Sequence, residues 1–136
     1  MYAAGERAFT IADGTIIGNK AIDKGYNKEG KGGGVYVDAD GYLDMWGKFT
    51  MEGGTIEGNT ASRGGGVYVE AGRFIMNAGT ITNNRATQSG GGKAMMVTGF
   101  FRWNGGEIKD NYGTGRAIET VSATIEPYYT IINSAT

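Results

Sequence analysis

Two short strings recur along this chain in a fixed order, and they constrain the fold more than any other feature. GGGVYV stands at Gly32–Val37 and again at Gly64–Val69, with a weaker copy, GGGKAMM, at Gly90–Met96. GTIIGN (Gly14–Asn19) returns as GTIEGN (Gly54–Asn59), GTITNN (Gly79–Asn84) and GEIKDN (Gly106–Asn111). Between them lies a phenylalanine segment: FTI at Phe9, FTM at Phe49, FIM at Phe74 and FRW at Phe101. Asn59 to Asn84 is 25 residues, Asn84 to Asn111 is 27, and Asn19 to Asn59 is 40. Two insertions, Lys20–Lys31 and roughly Asp38–Lys48, account for the long first interval. A unit this short cannot bury its own apolar side chains, so the copies must stack on one another.

Each copy reads as three short strands joined by glycine-rich turns, because apolar residues alternate with period two. Val35 and Val37 point one way and Tyr36 the other, and Val67, Val69 and Tyr68 repeat this. Phe49 and Met51 face inward with Thr50 out, as do Phe74 and Met76 with Ile75 out. Ile56, Ile81 and Ile108 face in, between outward polar neighbours. Parallel stacking at about 4.8 Å places like side chains over like. The expected fold is therefore all-β: a right-handed parallel β-helix of about four coils with three strands each, a rod about 20 Å long. Asn19, Asn59, Asn84 and Asn111 fall where the chain turns after the third strand. Asparagine tolerates left-handed backbone there, and its stacked amides can form a ladder.

Composition agrees. The 136 residues carry 26 glycines, one proline, no cysteine and no histidine. That is too little proline and no triplet period for collagen, and 40% hydrophobic residues is too apolar for a linker. Thirteen basic against 14 acidic residues give a net charge of −1, so no global field recruits nucleic acid. Without cysteine or histidine there is no disulfide, thiol chemistry or imidazole base. No stretch approaches the roughly 18 apolar residues of a membrane span, and MYAAGERAFT has no signal-peptide core.

GGGVYV, FTMEGGTIEGNTA and FIMNAGTITNNRA resemble the right-handed parallel β-helix repeats of large bacterial and archaeal surface proteins. These include adhesin-like proteins and the polymorphic outer-membrane proteins, whose repeats carry GGA(I/L/V) and FxxN. FxxN is present at Phe74–Asn77 and Phe101–Asn104 but absent at Phe9 and Phe49, and GGAI appears only as GGGV. The resemblance covers about Ala8 to Ile118 and implies a cell-surface or secreted setting, with adhesion or glycan contact and no particular ligand. The whole of 1–136 reads as one domain, with an N-terminal edge or cap at 1–7, coils at 8–118 and a final partial coil or cap at 119–136. A lean N-terminal edge fits a module excised from a longer repeat protein, or coils of two chains stacked end to end. The first of these is the favoured expectation.

Candidate chemistry gathers on the first coil. Tyr36 and Tyr68 face outward on neighbouring coils and should stack, with Tyr42 and Trp46 on one flanking insertion and Tyr26 on the other. Aromatic faces between two walls can hold sugar rings, so these five are the candidate glycan residues; a tyrosine pair that only stiffens the sheet is the competing reading. Asp38, Asp40 and Asp44 surround Gly41 as a weak calcium candidate lacking the closing glutamate of an EF-hand. Trp103 aligns with Met51 and Met76 and is expected in the core. Carboxylates at Asp38, Asp40, Asp44, Glu52 and Glu70 form no catalytic column, and arginine resists acting as a base. The outward Thr15, Thr55 and Thr80 column is broken by Glu107, which argues against ice binding. The GGG strings precede strands and lack the lysine of a phosphate loop. The expected role is a non-catalytic structural or adhesive module contacting a glycan or a cell-surface protein. A carbohydrate-binding module is the alternative, and a lyase-like fragment a distant third.

Overall fold

A computed structural model describes residues 2–3, 8–21, 30–38, 47–88, 92–121 and 124–126, and structural statements below concern these. The first coil contains β1 (Tyr2–Ala3), β2 (Ala8–Ile11), β3 (Thr15–Ile17) and β4 (Lys20–Ala21). The second contains β5 (Val35–Val37), β6 (Lys48–Met51), β7 (Thr55–Glu57) and β8 (Thr60–Ala61). The third contains β9 (Val67–Val69), β10 (Arg73–Met76), β11 (Thr80–Thr82) and β12 (Arg85–Ala86). The fourth contains β13 (Met95–Val97), β14 (Phe100–Trp103), β15 (Glu107–Lys109) and β16 (Tyr112–Gly113). Strands β17 (Ile118–Thr120) and β18 (Thr124–Glu126) open a fifth.

Corresponding strands of successive coils pair in parallel, giving four sheets that run along the axis: β1-β5-β9-β13-β17, β2-β6-β10-β14-β18, β3-β7-β11-β15 and β4-β8-β12-β16. This is a parallel β-helix. Its registers are those the repeat implies: Val35 pairs Val67, Phe49 pairs Phe74, and Ile56 pairs Ile81. The core is a set of vertical spines. One runs Phe9, Phe49, Phe74, Phe101, with ring centroids 4.8–5.6 Å apart; another runs Ile16, Ile56, Ile81, Ile108. In the middle coils these side chains have no solvent exposure. Vertical stacking thus completes the core, since each inner ring is flanked by the rings of the coils above and below it.

Three features go beyond the sequence-based expectation. Each coil has a fourth strand of two residues just after the ladder asparagine, with Ala21, Ala61, Ala86 and Gly113 in one column. Two residues show no alternation, so periodicity could not reveal it. The third GGG string is also offset. Met95 pairs Val67, which sets Gly92 at the level of Gly64 and places Lys93 and Ala94 beside Gly65 and Gly66. Backbone geometry explains the offset: Gly32, Gly64 and Gly92 all have positive φ (67°, 62° and 71°). A Cβ at Gly64 would also lie 2.4 Å from the Val67 carbonyl oxygen. The left-handed conformation, lastly, belongs to the residue before each ladder asparagine. Gly18, Gly58, Asn83 and Asp110 adopt φ of 69°, 63°, 53° and 55°. That turn leaves the next side chain free to point inward and bond along the axis.

Candidate functional site

The asparagine ladder is continuous. Asn59 donates its backbone N–H (3.0 Å) and its Nδ2 (3.0 Å) to Asn84 Oδ1. Asn84 does the same to Asn111 Oδ1 at 3.0 Å each, and Asn19 to Asn59 Oδ1 at 2.9 and 3.1 Å. The second Nδ2 hydrogen reaches back to a carbonyl of the preceding coil: Asn59 to Ile16 O, Asn84 to Ile56 O, Asn111 to Ile81 O. Asn59 and Asn84 are fully buried, so the bonds joining Asn59 to Asn84 and Asn84 to Asn111 are made away from competing water. The glycines of the GGG strings make room for the amides. A Cβ at Gly66 would stand 3.0 Å from Asn84 Nδ2, and one at Gly34 would stand 3.1 Å from Asn59 Nδ2.

On the outer face of the β5-β9 pair, Tyr36 and Tyr68 are cross-strand neighbours as expected, with centroids 5.8 Å apart and rings tilted by 46°. They do not form an open platform. Tyr68 is only 4% exposed and Tyr36 is half-buried. Lys31 Nζ lies 5.4 Å from the centre of the Tyr68 ring and 2.8 Å from Glu70 Oε1. The Tyr36 hydroxyl donates to Glu70 Oε2. Four side chains thus satisfy one another in a charge-assisted cluster, and this arrangement favours the stiffening role of the tyrosine pair over a sugar platform. Lys31 and Glu70 flank GGGVYV in sequence, Lys31 just before one copy and Glu70 just after the other, and only the stacking brings them together.

The candidates on the two insertions divide. Tyr26, Tyr42, Trp46, Asp40 and Asp44 lie outside the described residues. Asp38 is half-buried, and its carbonyl accepts the Gly47 N–H at 2.9 Å, closing the root of the second insertion. The first insertion returns at Gly30, whose carbonyl accepts the Arg63 N–H at 3.0 Å. Among the described residues no three His, Cys, Asp or Glu side chains gather as a metal site.

A second surface was not singled out from sequence. A shallow depression of about 500 Å³ is lined by Arg102, Trp103, Asn104 and Glu126. Trp103 pairs with Met76 as its alignment implies, and packs against Phe101 at 6.5 Å. It remains half-buried rather than enclosed. Arg102 and Glu126 are cross-strand partners. Asn104 Nδ2 donates to Asn77 Oδ1 (2.7 Å), and Asn77 Nδ2 donates to Glu52 Oε1 (2.9 Å). This second, exposed ladder uses the asparagines of the two FxxN segments, the signal that could have located it.

Taken together, fold and surfaces define a parallel β-helix solenoid whose polar columns are satisfied from within. No family model matches the chain, and neither does any curated protein or solved structure.

Proposed function

We propose that the chain is a non-catalytic structural and adhesive module of a cell-surface or secreted bacterial protein, similar in kind to the adhesin-like β-helix repeats. The observation that supports this reading is the division of labour between inside and outside. The inward phenylalanine, isoleucine and asparagine columns repeat through four coils, while outward columns change: Tyr36, Tyr68, Met96 and Glu119 stand in one line. A rod held by invariant spines can carry variable outer residues without loss of fold. Its two insertions spring from hydrogen-bonded roots at Gly30 and at Asp38–Gly47, a suitable base for loops that contact a partner. The test is binding of the chain to host cells and to a glycan panel, before and after replacing residues 39–46 with a short glycine linker. Binding that disappears while the melting temperature holds supports the reading. Binding unaffected by the replacement, or none to any surface, sinks it.

The depression at Trp103 favours a second reading, a carbohydrate-binding module. An indole face bordered by a guanidinium, an amide and a carboxylate offers both stacking and hydroxyl partners to a sugar ring. Trp103→Ala should then abolish binding of a soluble oligosaccharide, whereas the loop replacement should leave it intact.

A further inference from the structure

Charge is sorted around this rod, although the chain as a whole is nearly neutral. After each ladder asparagine the chain passes through a two-residue strand to the glycines ahead of β5, β9, β13 or β17. These passages are residues 20–34, 60–66, 85–94 and 112–117. Together they hold 27 of the 100 described residues but six of the ten described cations: Lys20, Lys31, Arg63, Arg85, Lys93 and Arg116. None of the nine described carboxylates lies in them. By sequence, residues 22–29 and 89–91 of the same passages add two lysines and two acids, hence no net charge.

Stacking turns this bias into a stripe. Lys20, Thr60 and Arg85 stand in one column on β4, β8 and β12. Lys31 and Arg63 are bridge partners on successive coils, and the Lys93 N–H donates to the Arg116 carbonyl at 2.8 Å. Every passage therefore puts at least one cation on the same side of the rod, with coils about 4.8 Å apart. Lys20, Arg85 and Arg116 are exposed along this flank. Lys31 is held at its border by Glu70 (2.8 Å), and Arg63 Nε donates to Gln88 Oε1 (3.1 Å). Like charges in register repel, and a surface built for solubility alone interleaves its signs, as Glu107 and Lys109 do on β15.

We infer that this stripe binds a linear anionic polysaccharide, carrying carboxylate or sulfate along its length and laid parallel to the rod axis. Guanidinium groups grip such anions in a bidentate fashion. Thr87 and Thr114 lie in the same passages; their hydroxyls donate to backbone carbonyls, so their oxygens remain acceptors for sugar hydroxyls. Single-stranded nucleic acid fits less well, because its bases need aromatic platforms. Tyr112 is the one aromatic among the described residues of the passages. A membrane fits less well too, since no described residue there has a large aliphatic side chain to insert. The stripe is separate from the 39–46 loop and from the Trp103 depression, so the inference goes beyond both readings above.

Calorimetric titration of the full chain with a size-defined heparin oligosaccharide tests this. Binding is expected, weakening as salt rises, with uncharged dextran inert. Arg85→Gln combined with Arg116→Gln should weaken it about ten-fold or more, with the melting temperature retained. Lys20→Gln combined with Arg116→Gln should act alike. Lys48→Gln combined with Lys109→Gln removes the same charge elsewhere and should weaken binding less than about two-fold. Binding should also survive replacement of residues 39–46 and Trp103→Ala, which separates this site from those of the proposed function. No binding, equal weakening by the Lys48/Lys109 pair, or loss of binding on either of the last two changes overturns the inference. Tighter binding to an oligothymidylate or to phosphatidylserine vesicles does so as well, because it assigns the stripe to nucleic acid or to a membrane.

Discussion

A single ladder asparagine carries more than its own side chain. Removing the Asn84 amide leaves the Asn59 N–H and Nδ2 without an acceptor, and Ile56 O and Asn111 Oδ1 each lose a donor. Asn84→Ala is expected to cost about 3–5 kcal/mol, since each buried group left unpaired costs on the order of 1–3 kcal/mol. Asn19→Ala removes exposed bonds and should cost under about 1 kcal/mol by the same reasoning. Urea denaturation of the two variants checks the contrast. Asn84→Asp keeps the shape but buries a carboxylate against Ile56 O and Asn111 Oδ1. Burial raises that acid's folded-state pKa, so the folded form binds protons more readily than the unfolded chain. The deficit of the Asp variant relative to wild type should thus be largest near neutral pH and shrink as pH falls toward about 4. At Gly64 the side chain itself is the problem. A Cβ there meets the strand's own carbonyl and φ is positive, so Gly64→Ala should lower the melting temperature more than Gly58→Ala, whose nearest neighbour would be 3.8 Å away.

At the level of the strand, position in the stack decides the energetic weight of a residue. Phe74 lies between Phe49 and Phe101 with no exposure, and Phe74→Ala should cost about 3–5 kcal/mol. Phe9 has the same neighbour type on one side only and is half-buried. Phe9→Ala should cost roughly half as much or less, because less apolar area returns to water. Strand identity was legible in sequence wherever alternation ran three or four residues with a shared inward type, as in Phe-x-Met and Thr-Ile-x. The two-residue strands β4, β8, β12 and β16 were not, because no pattern fits in so short a segment. Tyr68 illustrates what remained hidden at the candidate site. Its outward direction follows from the pleat, but its burial depends on Lys31 and Glu70, which approach only through stacking. Trp103 shows the reverse. Its core alignment was readable, yet it is half-buried at the end of β14, one residue past the last that pairs with β18. Glu107 and Lys109 at that same end form an exposed pair at 2.9 Å. The hydrogen bond to Glu107 and its negative charge raise the Lys109 pKa above the ordinary lysine value, so the ammonium keeps its charge through neutral pH and loses it only under strongly alkaline conditions.

Over the whole rod, each coil touches only its neighbours, so stability is close to a sum of coil and junction contributions. Opening should then begin at the ends. Native-state hydrogen exchange is expected to show the slowest amides in β6, β7, β10 and β11, with β2, β3 and β4 exchanging first. Protection that is uniform from end to end would mean the rod opens only as one unit.

The amides of Asn19, Asn59, Asn84 and Asn111 all point the same way, whereas the peptide groups of parallel strands alternate along the axis and largely cancel. The column therefore gives this β protein a net axial dipole of the sort usually associated with an α-helix, negative toward Asn19 and positive toward Asn111. Lys20 follows the negative terminus and Asp110 precedes Asn111 at the positive one, while Glu107 there is paired with Lys109.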